Sequence, residues 1–252
     1  MSLTAALLIL VAGIVAGAVN VIIGGGSLIT FPTLLALGYP PVLANVTNCV
    51  GMNPGNVSGV LSYRHELVGQ RDRAIRLGSA VLLGGLCGAV LLLALPASVF
   101  RAVVPLLIAC AALLMAVQPW LRRWIEQRND GATAPGAMLW LAMYLSGVYG
   151  GYFGAAQGVI LMAVMAVFID DSLQRLNGTK NLLTLVVNGV ATILFICTTS
   201  IAWMAAVLIG VGTFVGGFIG GKVGHRIPDR ALRWVVVGAG LGIAAYLEFQ
   251  AP

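Results

Sequence analysis

The sequence predicts an all-α polytopic membrane protein. It predicts two inverted-topology repeats, each with four long transmembrane helices plus one short broken or re-entrant helix. Three observations carry this. First, of 252 residues 60% are hydrophobic and only 9% charged, with a mean hydropathy of +0.99; a soluble domain carries about 25% charged residues. Second, the halves match when shifted by 132 positions. Gly26 meets Gly158, Asn45 meets Asn177, Thr47 meets Thr179 and Asn56 meets Asn188; Gly84, Gly85 and Gly88 meet Gly216, Gly217 and Gly220; Pro96 meets Pro228 and Arg101 meets Arg233. Upstream, Gly13 and Gly17 match Gly147 and Gly151 at 134. Third, loops at matching positions differ in charge.

A bilayer crossing takes roughly 20 apolar residues. Segments 3–23, 42–62, 74–95, 102–119, 137–153, 182–197, 203–221 and 231–249 supply eight candidates. The first lacks a basic n-region and has a mid-chain counterpart, so it reads as a mature span rather than a signal peptide. The division is a first transmembrane repeat at 1–119, a cytoplasmic linker at 120–136 and a second repeat at 137–252.

Two stretches interrupt this pattern. Gly24, Gly25, Gly26 and Ser27 break an apolar run that resumes at Leu28 and ends at Pro40-Pro41. Gly154, Ala155, Ala156, Gln157 and Gly158 break a second run that ends at Asp170-Asp171. Each resumed piece has about ten to twelve residues, which at 1.5 Å per residue reaches halfway through the hydrocarbon. Adjacent glycines make a continuous helix costly. Irregular backbone at membrane depth is tolerated where protein buries it or a cavity borders it.

Charge sets the expected topology. The loop after the second span holds Arg64, His65, Glu66, Arg71, Asp72, Arg73 and Arg76; its counterpart at 198–202 has no charge. One loop later the asymmetry reverses. Residues 96–98 have only Arg101 nearby, and their counterpart holds Lys222, His225, Arg226, Asp229, Arg230 and Arg233. Basic loops stay cytoplasmic, so matching loops fall on opposite sides. That requires an odd number of elements per half: four long spans and one short one. The linker, with Arg122, Arg123 and Arg128, is then cytoplasmic and the N-terminus outside. The net charge of +6 belongs to these flanks and points to the lipid bilayer, with no nucleic-acid partner.

Reactive chemistry is sparse. Cys49, Cys87, Cys110 and Cys197 lie in predicted spans at no metal-ligand spacing and read as small buried apolar residues. His65 and His225 sit in loops. No catalytic triad, metal motif or nucleotide motif is present, so the expectation is no enzyme, no catalytic residues, no metal and no cofactor.

The membrane interior holds amides and hydroxyls instead. Asn45, Asn48, Met52 and Asn56 recur at helical spacing and share one face. Asn177, Asn181, Thr184, Asn188 and Thr192 form a matching stripe, with Lys180 beside it. Pro54 frees the Val50 carbonyl. Such stripes read either as interhelical hydrogen bonding or as a substrate path. Lys180 reads either as an anion contact or as a snorkelling lysine. The candidate substrate-binding residues are Gly24, Gly25, Gly26, Ser27, Asn45, Asn48, Asn56, Gln157, Gly158, Asn177, Lys180, Asn181, Thr184 and Asn188. The glycines of the third spans, Gly84, Gly88, Gly216, Gly217, Gly220 and Gly221, read as packing faces without a ligand role.

The stretch GGGSLITFPTLLALGYPPVLANVTNCVGMNPGNVSGVLSYR, residues 24–64, resembles the first repeat of the sulfite exporter TauE/SafE family, also called toluene-sulfonate uptake permeases. The glycine-rich break, the LGYPP turn, the ANVTN helix start, the PGNVSG stretch and the closing YR carry the resemblance. The second half is similar in layout, with GAAQG at the break and DDSLQRLNGTKN in place of the proline turn. The resemblance implies a multi-pass carrier of the bacterial inner membrane for sulfite, sulfoacetate or other sulfonates. Helix N-termini at the breaks suit such oxyanions. Without an intramembrane carboxylate to carry a proton, export of a small anionic substrate by alternating access is the expected direction. A channel or carrier for another small solute, or a non-transporting scaffold subunit, stands as the alternative, and a homo-oligomer is left open.

Overall fold

Glycines, prolines and hydroxyls punctuate the chain where the sequence places them. The computed structural model describes residues 1–127 and 136–223. In order come α1 (Leu3–Ile22), α2 (Ser27–Ala36), α3 (Pro41–Ser62), a 3-10 turn (Arg64–Leu67), α4 (Arg71–Ala94), α5 (Ala97–Gln127), α6 (Gly136–Tyr152), α7 (Gln157–Phe168), α8 (Leu173–Thr198) and α9 (Trp203–Val223). Ser2 caps α1 by accepting from Ala5 N, and Ser172 caps α8 by accepting from Arg175 N. Pro41 occupies the first position of α3, where its missing N–H costs nothing.

Among the described residues there is no strand, and α1, α4, α5, α8 and α9 contain stretches long and apolar enough to cross a bilayer. α3 falls outside that set through Asn45, Asn48, Asn53 and Asn56, and α6 through its 17 residues. Two expected boundaries are corrected. α8 begins at Leu173 rather than 182, and α5 continues to Gln127, inside the expected linker. Hydropathy registers immersion in lipid, whereas a helix continues through polar turns as long as its backbone bonds do. The expected span 231–249, Arg128, His225, Arg226, Asp229, Arg230 and Arg233 lie outside the described residues.

The long helices pair across the halves. α1 lies along α9 as α4 lies along α6, and α3 packs on α9 as α8 packs on α4. Glycines permit the first two pairings. Gly216 and Gly220 face Ile14 and Ala18 of α1, while Gly84 and Gly88 face Tyr144 and Val148 of α6. A Cβ on Gly220 would stand 2.7 Å from Ala18 Cα, so the helix backbones touch directly. The opposite faces, such as Leu7, Val11 and Val15 of α1 and Leu83, Leu86 and Val90 of α4, are exposed and suit acyl chains.

Packing also revises one sequence match. Gly17 faces Thr213 and Gly147 faces Val81, positions 132 apart. Gly17 therefore corresponds to Gly147, an offset of 130 rather than 134. The turns agree: Val19 O accepts from Ile23 N and Gly24 N, and Tyr149 O from Phe153 N and Gly154 N.

Charged side chains collect at one end. Arg73 pairs with Asp171, Arg76 lies beside Gly136, and Gly221 lies over Ser62 at the end of α3. The other end brings Met1 Sδ within 4.0 Å of Tyr39 Oη and Ala202 N within 3.2 Å of Thr47 Oγ1. From the middle, α2 runs towards Tyr39 and α7 towards Asp171, in opposite directions. With all four native cysteines replaced, Val68→Cys is expected to react with an impermeant thiol reagent only from the cytoplasm. Ser200→Cys, exposed at the opposite end, is expected to react only from outside. Reaction of both from one side would overturn the topology.

Candidate functional site

The two breaks cross each other at the backbone. Gly24 adopts φ +93 and Gly154 φ +74, left-handed conformations that glycine takes without strain. Gly158 N donates to Gly24 O at 3.2 Å. A Cβ on Gly24 would stand 2.6 Å from Gly158 Cα, so neither position has room for a side chain. Ala156, at φ 55, is a non-glycine residue held in the left-handed region, a strained conformation that the packing around it must impose. The second break is fastened by Tyr149 Oη donating to Ala155 O at 2.6 Å. Phe153 seats edge-on against Phe31, with centroids 5.3 Å apart.

A helix that stops inside the packed interior exposes its last carbonyls. α8 reaches across to those of α1. Lys180 Nζ donates to Asn20 O at 3.1 Å and to Val21 O at 3.0 Å, and Asn177 Nδ2 and Asn181 Nδ2 also reach Val21 O. Lys180 is 1% exposed, so it does not snorkel. Its cation sits where the α1 dipole is negative. α3 makes the corresponding reach to α6, with Asn45 Nδ2 donating to Tyr152 O at 3.0 Å.

Between α3, α8 and the end of α6 lies a narrow, partly open cavity. Its central free room is on the order of one water molecule. Of the expected site residues, Ser27, Asn45, Asn48 and Asn188 line it, together with Gly150, Gly151 and Gly154. Ser27 opens α2, so the cavity faces both a helix N-terminus and a helix C-terminus.

The remaining expected residues lie elsewhere. Gly24, Gly25, Gly26 and Gly158 form the buried crossing behind the cavity. Asn177, Lys180 and Asn181 bind the end of α1. Thr184 Oγ1 bonds back to Lys180 O. Asn56 Oδ1 accepts from Asn20 Nδ2 at 2.8 Å. Gln157 is 1% exposed. Buried polar atoms without a hydrogen-bond partner concentrate in this region: Asn53 Oδ1, Asn56 Nδ2, Asn177 Oδ1 and both amide atoms of Gln157. Such orphaned groups are costly and mark places where a ligand or water belongs. Val50 and Pro54 instead line an apolar groove against α9, away from the polar cavity.

Sequence reasoning missed several contributors. Asn20 sits in an otherwise apolar helix, though its place one turn before the break was a signal. Thr30 donates to Asn48 Oδ1. Asn53 Nδ2 donates to Thr192 Oγ1 and to Asn188 O. Cys49 is more than apolar filler: it lines the cavity, with its Sγ 3.8 Å from Asn188 Oδ1.

The profile of the sulfite exporter TauE/SafE family matches residues 9–247. The chain belongs to this TauE/SafE family. Among relatives of this TauE/SafE chain, the probable membrane transporter protein YfcA of Escherichia coli K12 is 28% identical over 201 residues, covering 79% of this chain and 73% of the relative. The probable membrane transporter protein ORF9 of Sinorhizobium sp is 26% identical over 205 residues, covering 81% and 77%. A probable membrane transporter protein of Haemophilus influenzae is 28% identical over 204 residues, covering 81% and 78%. No solved structure matches. The family is one of membrane transporters, and with five candidate spans among its described residues the TauE/SafE chain is a multi-pass membrane protein.

At the charged end a polar network joins the halves of this TauE/SafE protein. Gln70 Oε1 accepts from Arg73 Nη1 at 2.8 Å and from Thr179 Oγ1 at 2.9 Å. Arg73 and Arg175 both pair with Asp171. Partial burial pulls the Asp171 carboxyl up, but the hydrogen bond from Arg73, the Ser172 N–H and the two guanidinium charges outweigh it. The carboxyl is held below its ordinary value of 3.8. A lowered carboxylate stabilises the fold above its unfolded-state value and loses that contribution as pH falls through the folded one. Asp171→Asn is therefore expected to cost about 0.5–1 kcal/mol at neutral pH. The difference from wild type should shrink below about pH 4, read as melting temperature in detergent across pH.

Proposed function

We propose that this protein carries small sulfur-containing anions, such as sulfite, sulfoacetate or other organosulfonates, across the bacterial inner membrane by alternating access. Residues 1–119 and 137–252 act as two inverted repeats about the 120–136 linker. The opposite directions of α2 and α7 and the exchanged pairings of α1 with α9 and α4 with α6 support that organisation. The observation that carries the reading is the polar cavity at the crossing of the two breaks, bordered by asparagines from both halves.

The chemistry fits an oxyanion. The N-terminus of α2 at Ser27 turns a positive dipole end to the cavity. Asn45, Asn48 and Asn188 add hydrogen-bonding amides. Lys180, the one buried cation among the described residues, adds positive potential through the end of α1. Asn56, Asn177, Asn181, Thr184, Gln157 and the break glycines shape the surrounding path. A cavity closed to about one water suits a carrier caught between its open states better than a channel. Outward passage of an anion gains about 2.3 kcal/mol per charge per 100 mV of membrane potential, which favours export.

The test is flux in proteoliposomes with sulfite, sulfoacetate, taurine and sulfate, with and without a potential. Potential-dependent flux of at least one sulfur anion is expected, and no flux of any would overturn the reading. In the same assay Asn188→Leu should cut flux at least tenfold and leave folded protein. Asn53 bonds the main-chain carbonyl of Asn188, which the substitution keeps. Lost stability with normal flux per folded molecule would make the stripe structural.

Lys180→Met should weaken anion binding roughly ten- to a hundredfold, on the scale of about 1.4 kcal/mol per tenfold. A charge pair near 4 Å at an effective dielectric of about 20 is worth roughly 4 kcal/mol before desolvation, and the longer path through α1 reduces it. Unchanged affinity would leave the lysine as a cap on α1 alone.

A further inference from the structure

The two broken helices end alike, but their last carbonyls are treated differently. By the turn geometry Val19, Asn20 and Val21 correspond to Tyr149, Gly150 and Gly151. Val19 O and Tyr149 O each accept the two N–H groups of the turn. At the α1 end, Asn20 O and Val21 O receive the Lys180 ammonium. At the α6 end, no backbone N–H among the described residues outside the helix reaches Gly150 O or Gly151 O. The residue at the matching position of α3, 132 before Lys180, is Asn48. Where the ammonium would stand there is instead the cavity, lined by Gly150, Gly151, Asn45, Asn48 and Asn188.

We propose that the end of α6 is a seat for a sodium-sized monovalent cation, the counterpart of the Lys180 ammonium at the end of α1. Glycines line a cavity only with backbone, so Gly150 and Gly151 present a free helix end to it. A helix C-terminus carries about half a negative charge, and no side-chain cation among the described residues answers it here. Gln157 stands against Gly150, buried, with neither amide atom hydrogen-bonded; its oxygen is a spare acceptor one residue removed from the cavity wall, packed on the Gly150 that lines it. Carbonyl and amide oxygens are the donors that hard cations take. No cluster of three acidic or metal-ligating side chains exists among the described residues, so the charge complement is that of a monovalent ion. The free room of about one water matches a dehydrated sodium ion.

With respect to transport, the seat rests on the anion-carrier reading, because it places the cation beside Ser27 and the asparagines assigned to the anion. A sodium ion moving with the anion would cancel one of its charges and so weaken the potential dependence of its flux.

The test begins without any anion. The melting temperature of the purified full chain in detergent is measured in sodium, potassium and choline chloride at equal ionic strength. Sodium is expected to raise it by about 2–5 °C over choline, with potassium well below sodium. Asn48→Lys, which supplies the missing ammonium, should abolish the response, and Asn48→Gln should keep it. Should Asn48→Lys not fold, equilibrium binding of radioactive sodium to wild type in choline decides. Equal melting in all three salts with no sodium bound overturns the seat, as does a response to potassium as large as that to sodium. The anion-carrier reading is separable. Sulfite flux undiminished in sodium-free choline, together with equal melting, removes the seat and spares the carrier. A sodium response without flux of any anion does the reverse.

Discussion

A helix that stops inside the packed interior leaves carbonyl groups cut off from water, and the partners found for them organise this protein. An unsatisfied backbone group in lipid costs several kcal/mol. The breaks at Gly24 and Gly154 are therefore tenable only because the halves reach into each other. The first break accepts Gly158 N from the second. The end of α1 is closed by Lys180, Asn177 and Asn181 of α8, and the end of α6 is met by Asn45 of α3. This mutual dependence accounts for the direct contact of Gly24 with Gly158, and for polar stripes on α3 and α8 that face inward.

The same interlocking explains where the cavity lies. Stripe residues engaged with the end of α1 are occupied and buried, and the space there is filled. At the end of α6 the glycines and the shorter Asn48 fill less volume, and the leftover space is lined by polar groups. The two helix ends thus differ where Asn20, Val21 and Lys180 at one are matched by Gly150, Gly151 and Asn48 at the other. The oppositely signed ends of α2 and α6 meet at that space.

The two ends of the molecule show a similar contrast. Thr47 and Thr179, 132 positions apart, hold equivalent places: Thr47 accepts from Ala202 N, and Thr179 donates to Gln70. At the charged end that contact is reinforced by Arg73, Asp171 and Arg175. At the other it stands without charges. A hydrogen-bonded ion network resists separation more than a lone backbone bond, so the two ends are held with different strength.

The family signature and the membrane class were legible in the sequence because composition and glycine spacing are local properties. The Gly24–Ser27 and Gly154–Gly158 breaks, the packing role of Gly84, Gly88, Gly216 and Gly220, and the inward faces of α3 and α8 follow from residue type and helical period alone. Helix ends were less legible, as α8 from Leu173 and α5 to Gln127 demonstrate, because hydropathy does not measure backbone hydrogen bonding. The allocation of the stripes was decided only by tertiary structure. Nothing local distinguishes Asn188 on the cavity from Asn177 on a helix end, or signals that Asn20 and Cys49 belong with them. Which carbonyls a break exposes, and which amide across the membrane interior reaches them, depends on how the two halves dock, and docking is a property of the whole chain.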